Sequence, residues 1–103
     1  MLILGSGTMT HNQRDIDRAG ARPVPDWAKA FTAWMHEKLL ARDDNAVIAY
    51  RRLAPHADYS HPSEEHLLPL HVALGAATPG RAPRRIHESF AFSTQSMDAY
   101  LFE

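Results

Sequence analysis

Two histidines and two glutamates lie within one short segment, His61-Pro62-Ser63-Glu64-Glu65-His66. Imidazole nitrogen and carboxylate oxygen suit divalent iron or zinc, and two histidines with one carboxylate form the open iron(II) site of oxygenases. The same residues are typical of a capped helix start, with Ser63 as N-cap and the glutamates facing the positive end of the helix dipole. The segment therefore predicts a metal site, a capped helix start, or both at once.

A second candidate is His11, which follows the turn Gly5-Ser6-Gly7 at the end of a short apolar run. Ligands of α/β proteins bind where strands end, and a turn at that place presents side chains to the crevice. The turn is a weak match to a dinucleotide-binding loop, because Thr10 stands where the third glycine would be. The alternative for His11 is a loop histidine that bonds a backbone carbonyl.

Other candidates have stronger structural alternatives. His71 lies in an apolar helical run, which favours a packed histidine with satisfied hydrogen bonds over a place in the pocket. The helical spacing of Trp27, Phe31 and Trp34 favours core packing over a platform for substrate. The basic cluster in residues 81–85 could meet an acidic group of a substrate, but it is typical of a solvated loop.

The composition limits the class of protein. The 103 residues are 45% hydrophobic and 22% charged, which indicates one globular unit. A net charge of −1 gives no reason to expect nucleic acid or an anionic membrane as partner. The absence of cysteine excludes disulfides and thiolate metal sites, whereas seven histidines allow an imidazole site. The apolar start is too short for a signal peptide or a membrane span, so we expect a cytoplasmic protein.

Three helices are predicted between Asp26 and Ala77. Asp26 is the expected N-cap of a helix over residues 27–41, and residues 43–45 are expected to cap a second helix that Pro55 ends. A third helix is predicted over residues 63–77, in which Pro69 either kinks the helix or begins a new turn. Residues 56–62 between the last two helices are predicted to be irregular.

Short strands are predicted on both sides of these helices. The continuous apolar run Met1–Leu4 suits a buried parallel strand, and residues 8–25 form a loop with a helical turn near residues 14–18. Residues 86–92 alternate as a half-buried strand, and residues 97–102 are expected to form a last one. The result is an α/β chain with an apolar strand edge near Leu2–Leu4 that needs a covering partner.

Taken together, these segments resemble the LigB-like class III extradiol ring-cleavage dioxygenases, in particular the DOPA-dioxygenase branch. The most specific match is the block from His61 to Leu70, followed by the helix end Leu74-Gly75-Ala76. The segment Ile3–Asn12, the aromatic helix and the ending Ser96–Tyr100 match as well. The resemblance implies that residues 1–103 are the carboxy-terminal portion of such a domain, with a partial α/β fold of short strands and about three helices.

The resemblance also implies roles for individual residues. It implies a mononuclear non-haem Fe(II) site, with zinc in some members, that opens a catechol ring with O2. His66 matches a metal ligand, and His11 matches the catalytic acid/base histidine beside the metal, which is sometimes counted as a ligand. His61 and His71 would support or line the site. Glu65 would be a supporting residue or an alternative carboxylate ligand.

In that family two further metal-binding histidines come from the amino-terminal half, which these 103 residues do not include. We therefore expect the fold and the site to be incomplete without a partner, either a homo-oligomer or a chain that carries the amino-terminal half. The alternative from another functional class is a non-catalytic metal-binding or self-associating module that uses the same fold. A third possibility is a fragment with no independent role.

Overall fold

A computed structural model describes residues 4–17 and 19–102 of the chain. In these residues, α-helices come first and short strands follow, which confirms the mixed α/β class. The helices are α1 (Asp26–Leu40), α2 (Asp44–Ile48), α3 (Tyr50–Leu53), α4 (Ala57–Ser60) and α5 (Leu68–Ala76). The strands are β1 (Arg84–His87), β2 (Phe90–Ala91), β3 (Gln95–Ser96) and β4 (Ala99–Leu101). None of the described helices is long and apolar enough to cross a membrane.

Helix α1 forms the centre of the core. Its buried positions recur every three or four residues, so that one face of the helix is apolar. Phe31, Met35 and Leu39 on this face are fully buried. The predicted core role of the aromatic stripe therefore holds for Phe31, while Trp34 packs at the edge of the core. Asp26 is the first helical residue and not the N-cap, because Pro25 holds the extended cap conformation.

The predicted second helix is divided. The Asp43 carboxylate accepts a hydrogen bond from the Ala46 N–H at 3.2 Å and so caps α2, as expected. The helix is interrupted at Ala49, whose dihedral angles leave the α-helical range before α3 begins. The stretch predicted to be irregular contains the short helix α4, which starts after the left-handed residue His56 (φ 56°). This part of the chain thus has three short helices in place of one.

The predicted helix over residues 63–77 is shorter than expected. It begins at Leu68, with Pro69 in its first turn, where the missing N–H of proline costs no hydrogen bond. Pro69 therefore opens the helix, which was one of the two alternatives. Residues 62–67 form turns, and Ser63 does not cap α5. The block that includes His66 consequently lies on an irregular segment before the helix.

The strands form two antiparallel pairs, β1 with β4 and β2 with β3. The predicted strand over residues 86–92 is wrong in its extent, because residues 88 and 89 leave strand structure and separate β1 from β2. A tight turn through Phe92 and Ser93, both with positive φ, then joins β2 to β3. The last strand is confirmed as β4. Of the predicted parallel strand, residues 1–3 lie outside the described residues. Leu4 has no strand structure and is 88% exposed.

The segment from Gly5 to Asn12 packs closely against the segment that contains His66 and Pro69. A side chain at Gly7 would place its Cβ 2.1 Å from the His66 carbonyl oxygen, and one at Gly5 would lie 2.5 Å from the Pro69 oxygen. The next residue, Thr8, donates its N–H to that same His66 oxygen at 3.1 Å. Glycine is therefore required at both positions by the close approach of the two backbones.

We predict that Gly7→Ala lowers the free energy of unfolding by about 1–3 kcal/mol, because the backbone at His66 must move to admit the methyl group. Urea denaturation followed by circular dichroism measures this change. The matched control is Gly75→Ala in α5, where the added Cβ meets nothing within 4 Å. This control should raise stability by roughly 0.5–1 kcal/mol through helix propensity. Equal stability of Gly7→Ala and wild type would contradict the close approach.

Candidate active site

The structure brings His11 and His66 together. Their rings stack with centroids 3.6 Å apart and an angle of 21° between the planes. The His11 backbone N–H donates to the Ser60 carbonyl at 2.8 Å, and the His66 carbonyl accepts from Thr8. The two residues are 55 positions apart in sequence. Their rings meet because the backbone of residues 8–11 is hydrogen-bonded to the backbone of Ser60 and His66.

The surroundings of His11 favour its neutral imidazole. Burial, followed by the neighbouring His66, lowers the pKa of His11 below its ordinary 6.5. His11 is therefore a neutral base at pH 7, able to accept a proton or to bind a cation.

Glu65 supplies a carboxylate beside this pair. A backbone N–H and the Ser63 hydroxyl donate hydrogen bonds that lower the pKa of Glu65, and the two histidines lower it further. Its side chain is exposed, and with this lowered pKa the carboxylate is ionised at neutral pH. The Ser63 hydroxyl thus bonds a glutamate, and not the start of a helix as the capping alternative predicted.

These groups open onto a cleft of about 620 Å³. Its walls include His11, His66 and Glu65 on one side, with Tyr59 and Arg14 also lining it. A volume of this size is typical of a site for a small molecule. The cleft therefore places two imidazoles and one carboxylate at a surface that a small aromatic compound can reach.

His61 lies beneath the cleft and does not line it. Its ring is fully buried against Phe31 and Tyr50, with ring centroids 5.7 and 6.3 Å away. Its Nε2–H donates to the Met9 carbonyl at 2.6 Å, and Nδ1 has no hydrogen-bond partner among the described residues. Burial lowers the pKa of His61 to about 4. His61 therefore holds the segment that precedes His11, which agrees with a supporting role.

His71 lies elsewhere. Its Nε2 is 3.0 Å from the Val47 carbonyl, and its ring is 5.5 Å from that of Tyr50, at the contact between α5 and α2. It does not line the cleft of His11 and His66. The structure therefore favours the packed histidine over a place at the site. The basic cluster is not a solvated loop throughout, because Arg85 lies in β1 and pairs with Glu88 and Asp98.

Two residues of the cleft were missed by the sequence reasoning. Asn12 is buried, and its amide joins two backbone segments: Oδ1 accepts from the Arg14 N–H at 3.0 Å and Nδ2 donates to the Tyr59 carbonyl at 2.8 Å. Tyr59 forms a wall of the cleft. The position of Asn12 directly after His11 was a usable signal, because a buried amide beside a site histidine must be hydrogen-bonded.

The described residues hold only part of a ligand set. Across residues 4–17 and 19–102, no group of three or more histidine, aspartate or glutamate side chains is arranged to hold a metal ion. His11 and His66 are thus two candidate donors at an open cleft. Sites of this kind for iron or zinc use at least three protein ligands.

Several known proteins are similar to this chain. The family described as the catalytic LigB subunit of aromatic ring-opening dioxygenase matches residues 1–103. A 4,5-DOPA dioxygenase extradiol of Mirabilis jalapa is 41% identical over 91 residues, which cover 88% of this chain and 34% of that protein. A protein of the same name from Beta vulgaris is 35% identical over 102 residues, 99% of this chain and 38% of that protein.

A crystal structure of an uncharacterized protein from Escherichia coli K12 has a similar fold. Its TM-score is 0.75 at 26% identity, and the match covers 92% of this chain and 40% of that one. The chain belongs to the LigB family. It spans 34% and 38% of the length of the two plant relatives described above.

The burial of His61 generates a pH prediction. The folded protein keeps His61 neutral down to a pKa of about 4, whereas the unfolded chain binds a proton near 6.5. The unfolded state therefore gains protons first, and stability falls as the pH drops from 6.5 toward 4, by on the order of 3 kcal/mol. Urea denaturation at pH 7, 6, 5 and 4 measures this loss.

The matched variant is His61→Gln, which can still donate to the Met9 carbonyl but does not titrate. Its unfolding free energy should change less between pH 6.5 and 4 than that of wild type, whatever its stability at pH 7. Parallel curves for the two proteins would contradict the buried neutral state of His61.

Proposed function

We propose that the chain supplies His11 and His66 to a non-haem Fe(II) centre that cleaves a catechol ring beside its two hydroxyls, with O2 as the second substrate. The stacking of the two rings at an open cleft is the observation that carries the proposal. The relatives named 4,5-DOPA dioxygenase extradiol support a catechol as the substrate class.

The donor chemistry fits a divalent metal. Neutral imidazoles suit Fe(II), and they suit zinc as well. His66 would hold the metal, with His11 as its neighbour or as a second ligand, and Glu65 would be the alternative carboxylate ligand. When bound, the metal would lower the pKa of the catechol hydroxyls and activate O2 for attack on the ring.

His11 would act as the acid/base group. Its lowered pKa keeps the imidazole unprotonated at neutral pH, so it can accept a proton from a catechol hydroxyl and return it later. The hydrogen bond from its backbone N–H to the Ser60 carbonyl fixes the position of the backbone that carries the ring. The buried bond from His61 to the Met9 carbonyl fixes the same segment from below.

A third ligand would come from a further polypeptide segment. On the other side of His66 lies a second, more apolar cavity of about 640 Å³, lined in part by Leu70, Ile86 and Met97. Ile86 is 57% exposed and Met97 is 43% exposed. Together they leave apolar surface open at this cavity, which is typical of a face that another segment covers. Because His66 lines both cavities, a segment that packs here would reach the metal site.

We infer that the occupant of this second cavity is the remaining part of a LigB-family protein. The relatives extend well beyond the length matched by this chain, which leaves ample chain to cover an apolar face. Asp98 also lines this cavity, and its buried side chain is paired with Arg85 at 3.6 Å. A homo-oligomer is the competing occupant, and light scattering of the chain alone distinguishes the two.

Substitution of His66 tests the proposal. We predict that His66→Ala weakens Fe(II) binding by more than the roughly 10- to 100-fold loss that follows removal of an outer-shell partner. Equilibrium dialysis of the chain with Fe(II) under anaerobic conditions measures the affinity. The control is His87→Ala, since His87 is an exposed histidine that bonds Ser89 away from the cleft.

Catechol turnover is then measured for the chain alone and after addition of a polypeptide with the remaining length of a family member. We expect ring cleavage only with the added polypeptide, and loss of that activity in His66→Ala. Fe(II) binding that is equal in wild type and His66→Ala, with and without the polypeptide, would refute the catalytic proposal.

A further inference from the structure

Tyr59 is an aromatic residue that is held by several contacts and is nevertheless exposed to solvent. It lines the cleft of His11 and His66, and 48% of its surface is exposed. An exposed tyrosine on a four-residue helix would ordinarily sample several rotamers. Here its backbone, its hydroxyl and its ring are each in contact with a different residue: Asn12, Asp15 and Trp27.

The backbone anchor is Asn12. The Asn12 side chain is 5% exposed, and its amide N–H donates to the Tyr59 carbonyl at 2.8 Å. Asn12 directly follows His11, whose own N–H is bonded to the Ser60 carbonyl. Tyr59 and His11 are thus tied together by two hydrogen bonds between adjacent residues of two segments.

The hydroxyl anchor is Asp15. The Tyr59 hydroxyl donates to Asp15 Oδ2 at 2.9 Å, and the same oxygen accepts from Trp27 Nε1 at 3.2 Å. Arg22 holds the other carboxylate oxygen at 2.6 Å. The Trp27 ring meets the Tyr59 ring edge to face, at 4.8 Å and 85°.

These contacts decide which part of Tyr59 is available. The hydroxyl is engaged by a carboxylate that raises its pKa, so it is not a proton donor for a reaction. The available part is the ring, on the side turned away from Trp27. A rigid aromatic surface loses little conformational entropy when a ligand packs on it, which makes it an effective binding surface.

We propose that Tyr59 is the residue of this chain that binds the aromatic ring of the substrate, held in place by Asn12 and Asp15. This inference rests on the proposed function, because it assumes that a catechol enters the cleft beside His11 and His66. A contact between two aromatic rings adds roughly 2- to 12-fold to affinity beyond the area that it buries.

The test uses the full chain with Zn(II) added, and catechol as the probe. Catechol binding is followed by NMR, and intermolecular nuclear Overhauser effects identify the side chains that touch its ring protons. We expect effects from the Tyr59 ring. Tyr59→Leu should raise the Kd for catechol about 5-fold, whereas Tyr59→Phe, which keeps the ring, should stay within about 2-fold.

The matched control is Phe92→Leu, the same kind of replacement at an aromatic residue that is 44% exposed and does not line the cleft. It should leave the Kd unchanged. Zinc affinity is measured for each variant, and we expect Tyr59→Leu to keep it.

Catechol that binds beside His66 without contacts to Tyr59, or that binds Tyr59→Leu as tightly as wild type, overturns the inference and leaves the proposed function standing. No binding of catechol to the zinc-loaded wild type also overturns the inference, whereas the proposed function is decided by His66→Ala with the added polypeptide. If Tyr59→Leu does not fold, the Overhauser contacts in wild type decide the question: contacts to the Tyr59 ring support the inference, and their absence overturns it.

Discussion

The structure depends on one backbone segment, residues 8–11, which is hydrogen-bonded on both sides. On one side it is joined to Ser60 and His66 by the N–H groups of His11 and Thr8. On the other, the Met9 N–H donates to the Ser96 carbonyl, and the Thr10 hydroxyl bonds the backbone of residues 94 and 96. The helical part and the small β part of the chain are therefore joined through this segment, and Gly7 permits its close approach to His66.

The candidate site is a direct result of this arrangement. His11 belongs to the central segment and His66 to the segment bonded to it, so the two rings must meet wherever the backbones do. The buried bond between His61 and the Met9 carbonyl secures the segment, while burial of the ring lowers the pKa of His61. Stability at acid pH and the geometry of the site thus depend on the same buried side chain.

The sequence located the residues of the candidate site better than their scaffold. Residue type and the glycine turn singled out His11, Glu65 and His66, which the structure places at one cleft, whereas His61 lies buried beneath it. The spacing of apolar residues located α1. It predicted α2 and α3 as one helix, because this spacing does not report the change of backbone dihedral angles at Ala49. The start of α5 depended on Pro69, for which the pattern allowed two outcomes. The roles of Asn12 and Tyr59 came from contacts between distant segments, which no local pattern contains.

The central claim is that His66, among the seven histidines, holds the metal and that His11 lies beside it. The most direct test is long-range ¹H–¹⁵N NMR of the histidine side chains during a titration with Zn(II). The account predicts that the ring nitrogens of His66 and His11 shift in proportion to bound zinc while those of His61 and His71 do not. Shifts confined to His71 or to the exposed histidines, or no shift at His66, would contradict it.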